Sequence, residues 1–345
     1  MSTPIRIRRG TQAELQASST PIKEGELFQI IGDSVRIALE DGPINAVRSE
    51  DFLKMPSPEG RDRLTYVTDA SNVVKAYPYS GSINPNTTFP VGTKGVALGE
   101  GVTGLSGGGF PTALESVVLP SSLTTLGGYC FLNCANLTSI EIPAGVTTIA
   151  TGAFYYSGIT DIKMHEGLVQ AHLNHAGDLT SVTLPNTVGD FNFQQCWSLT
   201  SVNLPNSITT LGDYCFSGCG ALPSLEIPST VTEIGANAFY YCAALTTLDL
   251  PEGLTTIDYG AFDSSGLTSL VIPSTVTSVG SWAFTGCTGL TSIDVRCPQT
   301  SLGATSFGSS SIATVHALAS DASWTAGAGQ TIAGKTGITV IKDLT

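Results

Sequence analysis

The sequence predicts a repeat solenoid of short β-strands, mostly strand and loop, behind a small mixed amino-terminal domain. Three observations predict it. A seven-residue phrase recurs at intervals of 20–23 residues, and one column of the repeat is almost wholly phenylalanine. Charged residues make up only 12% of the 345-residue chain, against roughly 25% in ordinary globular proteins, with Gly, Ser and Thr filling the gap. That composition favours a repetitive β structure over a helical enzyme.

Residues 1–42 stand outside the repeat. Ile5, Arg6, Ile7 and Arg8 alternate as a strand does. Thr11-x-x-Glu14 has the spacing of a capping box, in which each side chain satisfies a backbone N–H at a helix start. Pro21 stops that helix, and Gly25-Glu26-Leu27, Gly32-Asp33 and Asp41-Gly42 punctuate the stretch after it. The run Arg8-Arg9-Gly10-Thr11-x-Ala13-Glu14-Leu15, continued by Glu24-Gly25-Glu26-Leu27, Asp33 and Asp41-Gly42, resembles the amino-terminal module of many bacteriophage tail-fibre and appendage proteins. Its apolar centre departs from the usual form. The resemblance implies a virion-attachment module that docks on other virion proteins and tends to be trimeric, with Arg8, Arg9, Thr11, Glu14 and Glu26 in the contact.

Residues 43–90 read as a β-hairpin and linker. A short helix is expected around Ser49–Lys54. Leu64–Thr68 and Val73–Tyr77 are apolar, β-prone runs joined by Asp69-Ala70-Ser71-Asn72, the grammar of a hairpin. Pro78–Pro90, rich in Ser, Gly, Pro and Asn, reads as a linker.

The solenoid is expected over residues 91–318, in nine or ten stacked turns. Leu-Thr-Ser-Ile-Glu-Ile-Pro (137–143) returns as Leu-Thr-Ser-Val-Asn-Leu-Pro (199–205), Leu-Thr-Thr-Leu-Asp-Leu-Pro (245–251) and Leu-Thr-Ser-Leu-Val-Ile-Pro (267–273). With the closing position as anchor, the units end at Pro120, Pro143, His165, Pro185, Pro205, Pro228, Pro251, Pro273 and Arg296. Apolar residues fall at anchor −6, −3, −1, +3, +6 and +11. Positions −3 and −1 lie two apart, on one side of a short strand that the following Pro, lacking an N–H, brings to an end. The +11 column holds Phe110, Phe131, Phe154, Phe216, Phe239, Phe262, Phe284 and Phe307, and slides to Leu173 and Phe193 in the two 20-residue units. A single unit cannot bury its apolar side, whereas stacked units share one core. At about 4.8 Å per strand the array is roughly 50 Å long.

These units resemble BspA-like leucine-rich repeats, with their Ile-x-Ile-Pro-x-x-Val-Thr-x-Ile-Gly-x-x-Ala-Phe-x-x-Cys pattern. Residues 225–242, Leu-Glu-Ile-Pro-Ser-Thr-Val-Thr-Glu-Ile-Gly-Ala-Asn-Ala-Phe-Tyr-Tyr-Cys, follow it almost throughout. The resemblance implies the solenoid fold and, more loosely, binding and adhesion. Residues 319–345 leave the repeat and read as a carboxy-terminal cap over an otherwise open core.

Charge narrows the partners. Residues 81–345 hold 5 Lys/Arg against 17 Asp/Glu, so they carry −12 of the net −13. An acidic body repels nucleic acid and anionic lipid, and suits sugars, cations or a basic protein. Apolar runs stay short of the roughly 18 residues a membrane span needs. The start lacks the apolar stretch of a secretory signal. Together with the attachment module, this points to a protein made in the host cytoplasm and carried on the virion.

Candidate chemistry is sparse. Cys134, Cys196, Cys219, Cys242 and Cys287 recur three residues after the column aromatic, and Cys130 and Cys215 alternate with Ala153, Ala238, Ala261 and Ala283. Small buried fillers with reduced thiols are the expected reading. His165, His172 and His175 cluster near Glu166 and Asp178, but their spacing matches no zinc motif. No metal, cofactor or catalytic residue is expected. The outward strand positions are the expected recognition face: a Ser-rich column at anchor −4, and at −2 a column including Glu141, Asn203, Glu226, Asp249 and Asp294. Tyr155, Tyr156, Tyr240 and Tyr241 flank the Phe column as exposed rings able to stack on sugars. The expected function is a structural and adhesive fibre or appendage protein, a homotrimer whose solenoid binds a host-surface glycan or protein. A bacterial or protist cell-surface adhesin is the alternative, and a polysaccharide depolymerase spike the third reading.

Overall fold

The computed structural model describes residues 81–345 and, before them, the backbone of Arg6–Arg8 (β1), Glu26–Ile30 (β2), Ser34–Ile37 (β3), Thr65–Thr68 (β4) and Val74–Tyr77 (β5). β1 pairs parallel with β2, which pairs antiparallel with β3. Arg8 and Glu26 therefore lie on neighbouring strands. Arg9, Thr11 and Glu14, the Pro21 stop and the helix expected at Ser49–Lys54 lie outside the described residues.

The chain forms two compact units, residues 1–163 and 164–345, and parallel coils stack in both. In the first, β4 pairs antiparallel with β5, forming the expected hairpin, and also with Gly95–Ala97 (β7), which runs parallel to Ser116–Val118 (β9). The stack starts earlier than the sequence suggests. Residues 81–90 are a coil, with Gly81–Ile83 (β6) parallel to Val102–Leu105 (β8) and the short helix Pro85–Thr88 (α1) behind it. The residues that read as linker build it. Asn84 caps the helix by accepting from the Asn86 N–H, and Pro85 occupies the first helical turn, where its missing N–H costs nothing. Parallel pairing continues through Thr125–Leu126 (β10) to Thr148–Ile149 (β12), while Ser139–Glu141 (β11) pairs with Asp161–Lys163 (β13).

In the second unit Gln170–His172 (β14) pairs with Asp190–Asn192 (β16), and Ser181–Thr183 (β15) with Ser201–Asn203 (β17). Thr210–Leu211 (β18), Glu233–Ile234 (β19), Thr256–Ile257 (β20) and Ser278–Val279 (β22) form one parallel ladder. Val271–Ile272 (β21), Ser292–Val295 (β23) and Thr314–Leu318 (β24) form another. Lys335–Leu344 (β26) continues this second ladder in parallel, and Gly327–Ile332 (β25) closes it antiparallel. Most coils thus have two short strands: the anchor strand, absent in the coils ending at Pro228 and Pro251, and a second one from +5 that the sequence pattern does not separate from its turn.

The Phe column is the core. In the first unit Phe89, Phe110, Phe131 and Phe154 stack at centroid spacings of 5.1, 5.1 and 5.2 Å. In the second, Phe193, Phe216, Phe239, Phe262 and Phe284 stack at 5.6, 5.5, 5.3 and 5.6 Å. All of these rings are buried. Phe89 extends the column one coil beyond the expected start.

Threonine and serine hydroxyls tie the coils together, which explains their abundance. On the anchor side Thr160, Thr200 and Thr268 donate to the carbonyls of Thr138, Thr180 and Thr246. On the second side Thr124, Thr232, Thr255 and Thr277 donate to Thr103, Thr209, Thr232 and Thr255. Between them Thr187, Thr230 and Thr275 donate to Leu168, Ile208 and Leu254 at 2.7 Å each. A column of hydroxyls one coil apart gives each coil a fixed register on its neighbour.

Candidate functional site

Four of the five residues expected on the recognition face are exposed, and the structure brings two of the five to one place. Glu141 is exposed at the end of β11, opposite Lys163, and Asn203 is exposed at the end of β17, opposite Thr183. Glu226 and Asp249 are exposed on segments that lie outside any strand. Asp294 is half-buried in β23, opposite Val271. Asp249 and Asp294 line a shallow pocket of about 280 Å³ in the second unit, with Thr247, Ser269, Val271 and Ser292 between them. Glu141, Asn203 and Glu226 are not part of it. The outward Ser column holds with one departure: Ser116 is buried, in the four-stranded sheet that carries the hairpin.

The pocket forms where the anchor ladder opens. At position −5 most units carry Thr, whose N–H bonds to the preceding coil, as Thr160 does to Thr138, Thr200 to Thr180 and Thr268 to Thr246. The unit ending at Pro228 has Pro223 there, and proline has no N–H to give. The next bond, from Thr246 to the Pro223 carbonyl, is long at 3.4 Å. Ser224–Glu226 and Thr247–Asp249 consequently run as irregular backbone between β17 and β21. Two carboxylates and the hydroxyls of Thr247, Thr268, Ser269 and Ser292 surround the exposed Val271 side chain. That combination accepts and donates hydrogen bonds around a small apolar spot, which suits ligand hydroxyl or ammonium groups.

A second feature lies at the turns flanking the Phe column. Tyr129, Tyr156, Tyr214, Tyr241 and Trp282 all have left-handed backbone, with φ between 54 and 64°, and are about half exposed. The same two repeat positions hold Gly152, Gly218, Gly260 and Gly286, also at positive φ. The turn geometry therefore suits glycine, and an L side chain there costs about 1–2 kcal/mol. Aromatic pairing returns only about 0.5–1.5 kcal/mol, so packing roughly offsets the strain and no more. Tyr259 and Trp197 are exposed rings as well. Among the four tyrosines expected to flank the column as exposed rings, Tyr156 and Tyr241 are exposed. Tyr155 and Tyr240 are half-buried and meet them edge-on at 4.5 Å.

Residues 110–219 and 186–314 match the BspA type leucine-rich repeat region, in six copies. The chain belongs to this family. Solved structures similar to this BspA-type chain include a leucine-rich repeat protein from Bacteroides ovatus, with 22% identity, 76% of this chain and 71% of that one covered, and a TM-score of 0.43. A leucine-rich cell surface protein from Faecalibacterium prausnitzii has 22% identity, 78% and 97% coverage and a TM-score of 0.43. The pneumococcal vaccine antigen PcpA has 16% identity, 84% coverage of both chains and a TM-score of 0.45. No curated protein matches the chain.

In this BspA-type solenoid the eight cysteines are buried and free. Their column has a bonding role beyond filling space. Cys219, Cys242 and Cys287 donate to the carbonyls of Phe193, Phe216 and Phe262 at 3.2, 3.1 and 3.0 Å, each one coil back along the Phe stack. Burial pushes Cys134, Cys196 and Cys242 up to about 12 and Cys287 and Cys297 to about 11. Thiols held so far from ionisation are poor nucleophiles and poor metal ligands. The histidines go separate ways. His165 Nδ1 meets the Glu166 carbonyl at 2.8 Å, and His172 Nε2 lies 3.1 Å from Asp190. His175 sits in a left-handed turn, where burial lowers its pKa.

Proposed function

We propose that this chain is an adhesive, non-enzymatic recognition protein of a phage particle, docked on the virion by residues 1–42 and presenting its solenoid to the host surface. The pocket between Asp249 and Asp294 carries the adhesive part of this reading. It lies on the outward face, beside the stretch where the anchor ladder is irregular, and offers polar groups that no core contact requires. The virion part rests on the resemblance of residues 8–42 to fibre attachment modules, with Arg8, Arg9, Thr11, Glu14 and Glu26 as its contacts. A trimer would amplify weak single-site contacts by avidity.

Binding of the purified full chain to host cells tests the first part. Asp249→Asn combined with Asp294→Asn should weaken binding without changing the melting temperature; unchanged binding removes the pocket from the reading. Removal of residues 1–42 tests the second. Particles assembled with the shortened chain should lack it, and particles that still carry it refute virion docking through this segment.

A further inference from the structure

We propose that Tyr259 and Trp282 form a stacking platform for a pyranose ring of a neutral polysaccharide, a site separate from the Asp249–Asp294 pocket. The two rings sit on adjacent coils with centroids 5.6 Å apart and an interplanar angle of 33°. Their exposures are 44% and 48%. At this spacing and tilt the rings overlap in part, and each keeps nearly half of its surface open to a ligand. Tyr155–Tyr156 and Tyr240–Tyr241 instead meet edge-on, at 76° and 84°.

Backbone requirements do not account for the indole. Trp282 has φ 64° at a repeat position where Gly152 and Gly260 adopt the same left-handed turn at 76° and 60°. Glycine serves that turn without strain, so the ring is held there against the local preference.

The surroundings suit sugar hydroxyls. Asp258, next to Tyr259, uses Oδ1 to accept the Tyr259 N–H at 2.6 Å, and a carboxylate has acceptor capacity beyond one bond. The Asn237 amide lies against Gly260, on the coil that precedes the one carrying Tyr259. An apolar platform ringed by hydrogen-bonding groups matches the apolar face and hydroxyl rim of a pyranose. The charge of residues 81–345, 17 Asp/Glu against 5 Lys/Arg, repels anionic glycans and selects a neutral one.

The test titrates the full chain with maltohexaose, mannohexaose and chitohexaose, with an oligogalacturonate as the anionic control, following tryptophan emission and heat of binding. At least one neutral probe should bind saturably, and the anionic one should not. Trp282→Gly should weaken binding roughly tenfold or more while leaving the melting temperature unchanged or higher. Trp282→Tyr should largely retain binding. Asp249→Asn with Asp294→Asn should leave it intact, so failure of this platform and failure of the pocket are read separately. The proposal is overturned if no neutral probe binds, if Trp282→Gly binds like the parent, or if only the double Asp variant loses the sugar.

Discussion

Cys219 Sγ donates to the carbonyl oxygen of Phe193 at 3.2 Å, linking a cysteine of one coil to the column phenylalanine of the coil before it. Cys242 repeats the bond to Phe216, and Cys287 to Phe262. The thiol is the donor, so it must stay protonated for the bond to exist.

Alkaline pH should therefore unfold the protein. An unfolded thiol ionises near its ordinary value of about 8.5, whereas burial holds the folded ones up at about 11 or 12. A pKa raised by folding contributes stability that is whole below the unfolded value and is lost as pH climbs toward the folded one. Each such thiol removes about 1.4 kcal/mol per pH unit across that window. Urea midpoints should hold steady from pH 7 to 8 and fall steeply between 9 and 11. Iodoacetamide should modify these cysteines only after unfolding. Rapid alkylation of the folded chain at pH 8 contradicts this account.

Phe239→Ala should cost about 3–5 kcal/mol, the range for emptying a buried aromatic site. Its ring lies nearly parallel to Phe216 and Phe262, at 5.5 and 5.3 Å, and is fully buried. The neighbouring coils are tied to each other through hydroxyl and backbone bonds and cannot collapse into the gap. Denaturant unfolding measures the loss directly. A cost below about 1 kcal/mol means that the column is not a shared core.

The Phe column was legible because only one large ring per 20–23 residues leaves a periodic mark, and that mark survives the slide to Leu173 and Phe193. The second strand of each coil was not. Two residues such as Thr125–Leu126 or Thr148–Ile149 are too short for an alternating pattern, so they merge with the turn. Residues 81–90 read as linker because Asn84 and Pro85 are turn formers in most contexts; here they cap and start a helix. The outward direction of Asp249 and Asp294 follows from strand alternation. Their convergence is a matter of how three successive coils stack, and that needs the ladder in three dimensions. The left-handed turns of Tyr214 and Trp282 were invisible for a similar reason, since glycine in other units was the sole trace of them.

The hydroxyl columns should differ in weight according to burial. Thr275→Val removes a part-buried bond of 2.7 Å to the Leu254 carbonyl and should cost about 1 kcal/mol. Thr277→Val removes an exposed bond of 3.3 Å to the Thr255 carbonyl, which water replaces, and should cost under about 0.5 kcal/mol. Valine matches threonine in shape and has the higher strand preference, so lost packing does not confuse the comparison. Equal costs in thermal unfolding rule out burial as the cause.

Gly177→Ala should be destabilising through a single neighbour. The indole of Trp197 covers Gly177 and occupies the place a Cβ would take. Gly177 is buried, and its backbone is not among those with positive φ, so alanine meets a steric obstacle and no conformational one. Forcing the two apart should cost about 1–3 kcal/mol, as overpacking does, and shift tryptophan emission as the indole lifts into water. Trp197→Ala should lose only the contact of a half-exposed ring. The double variant then decides the cause. If the obstacle is the indole, Gly177→Ala becomes nearly neutral in the Trp197→Ala background, giving a coupling of about the full single-variant cost. Additive effects place the strain elsewhere in the coil.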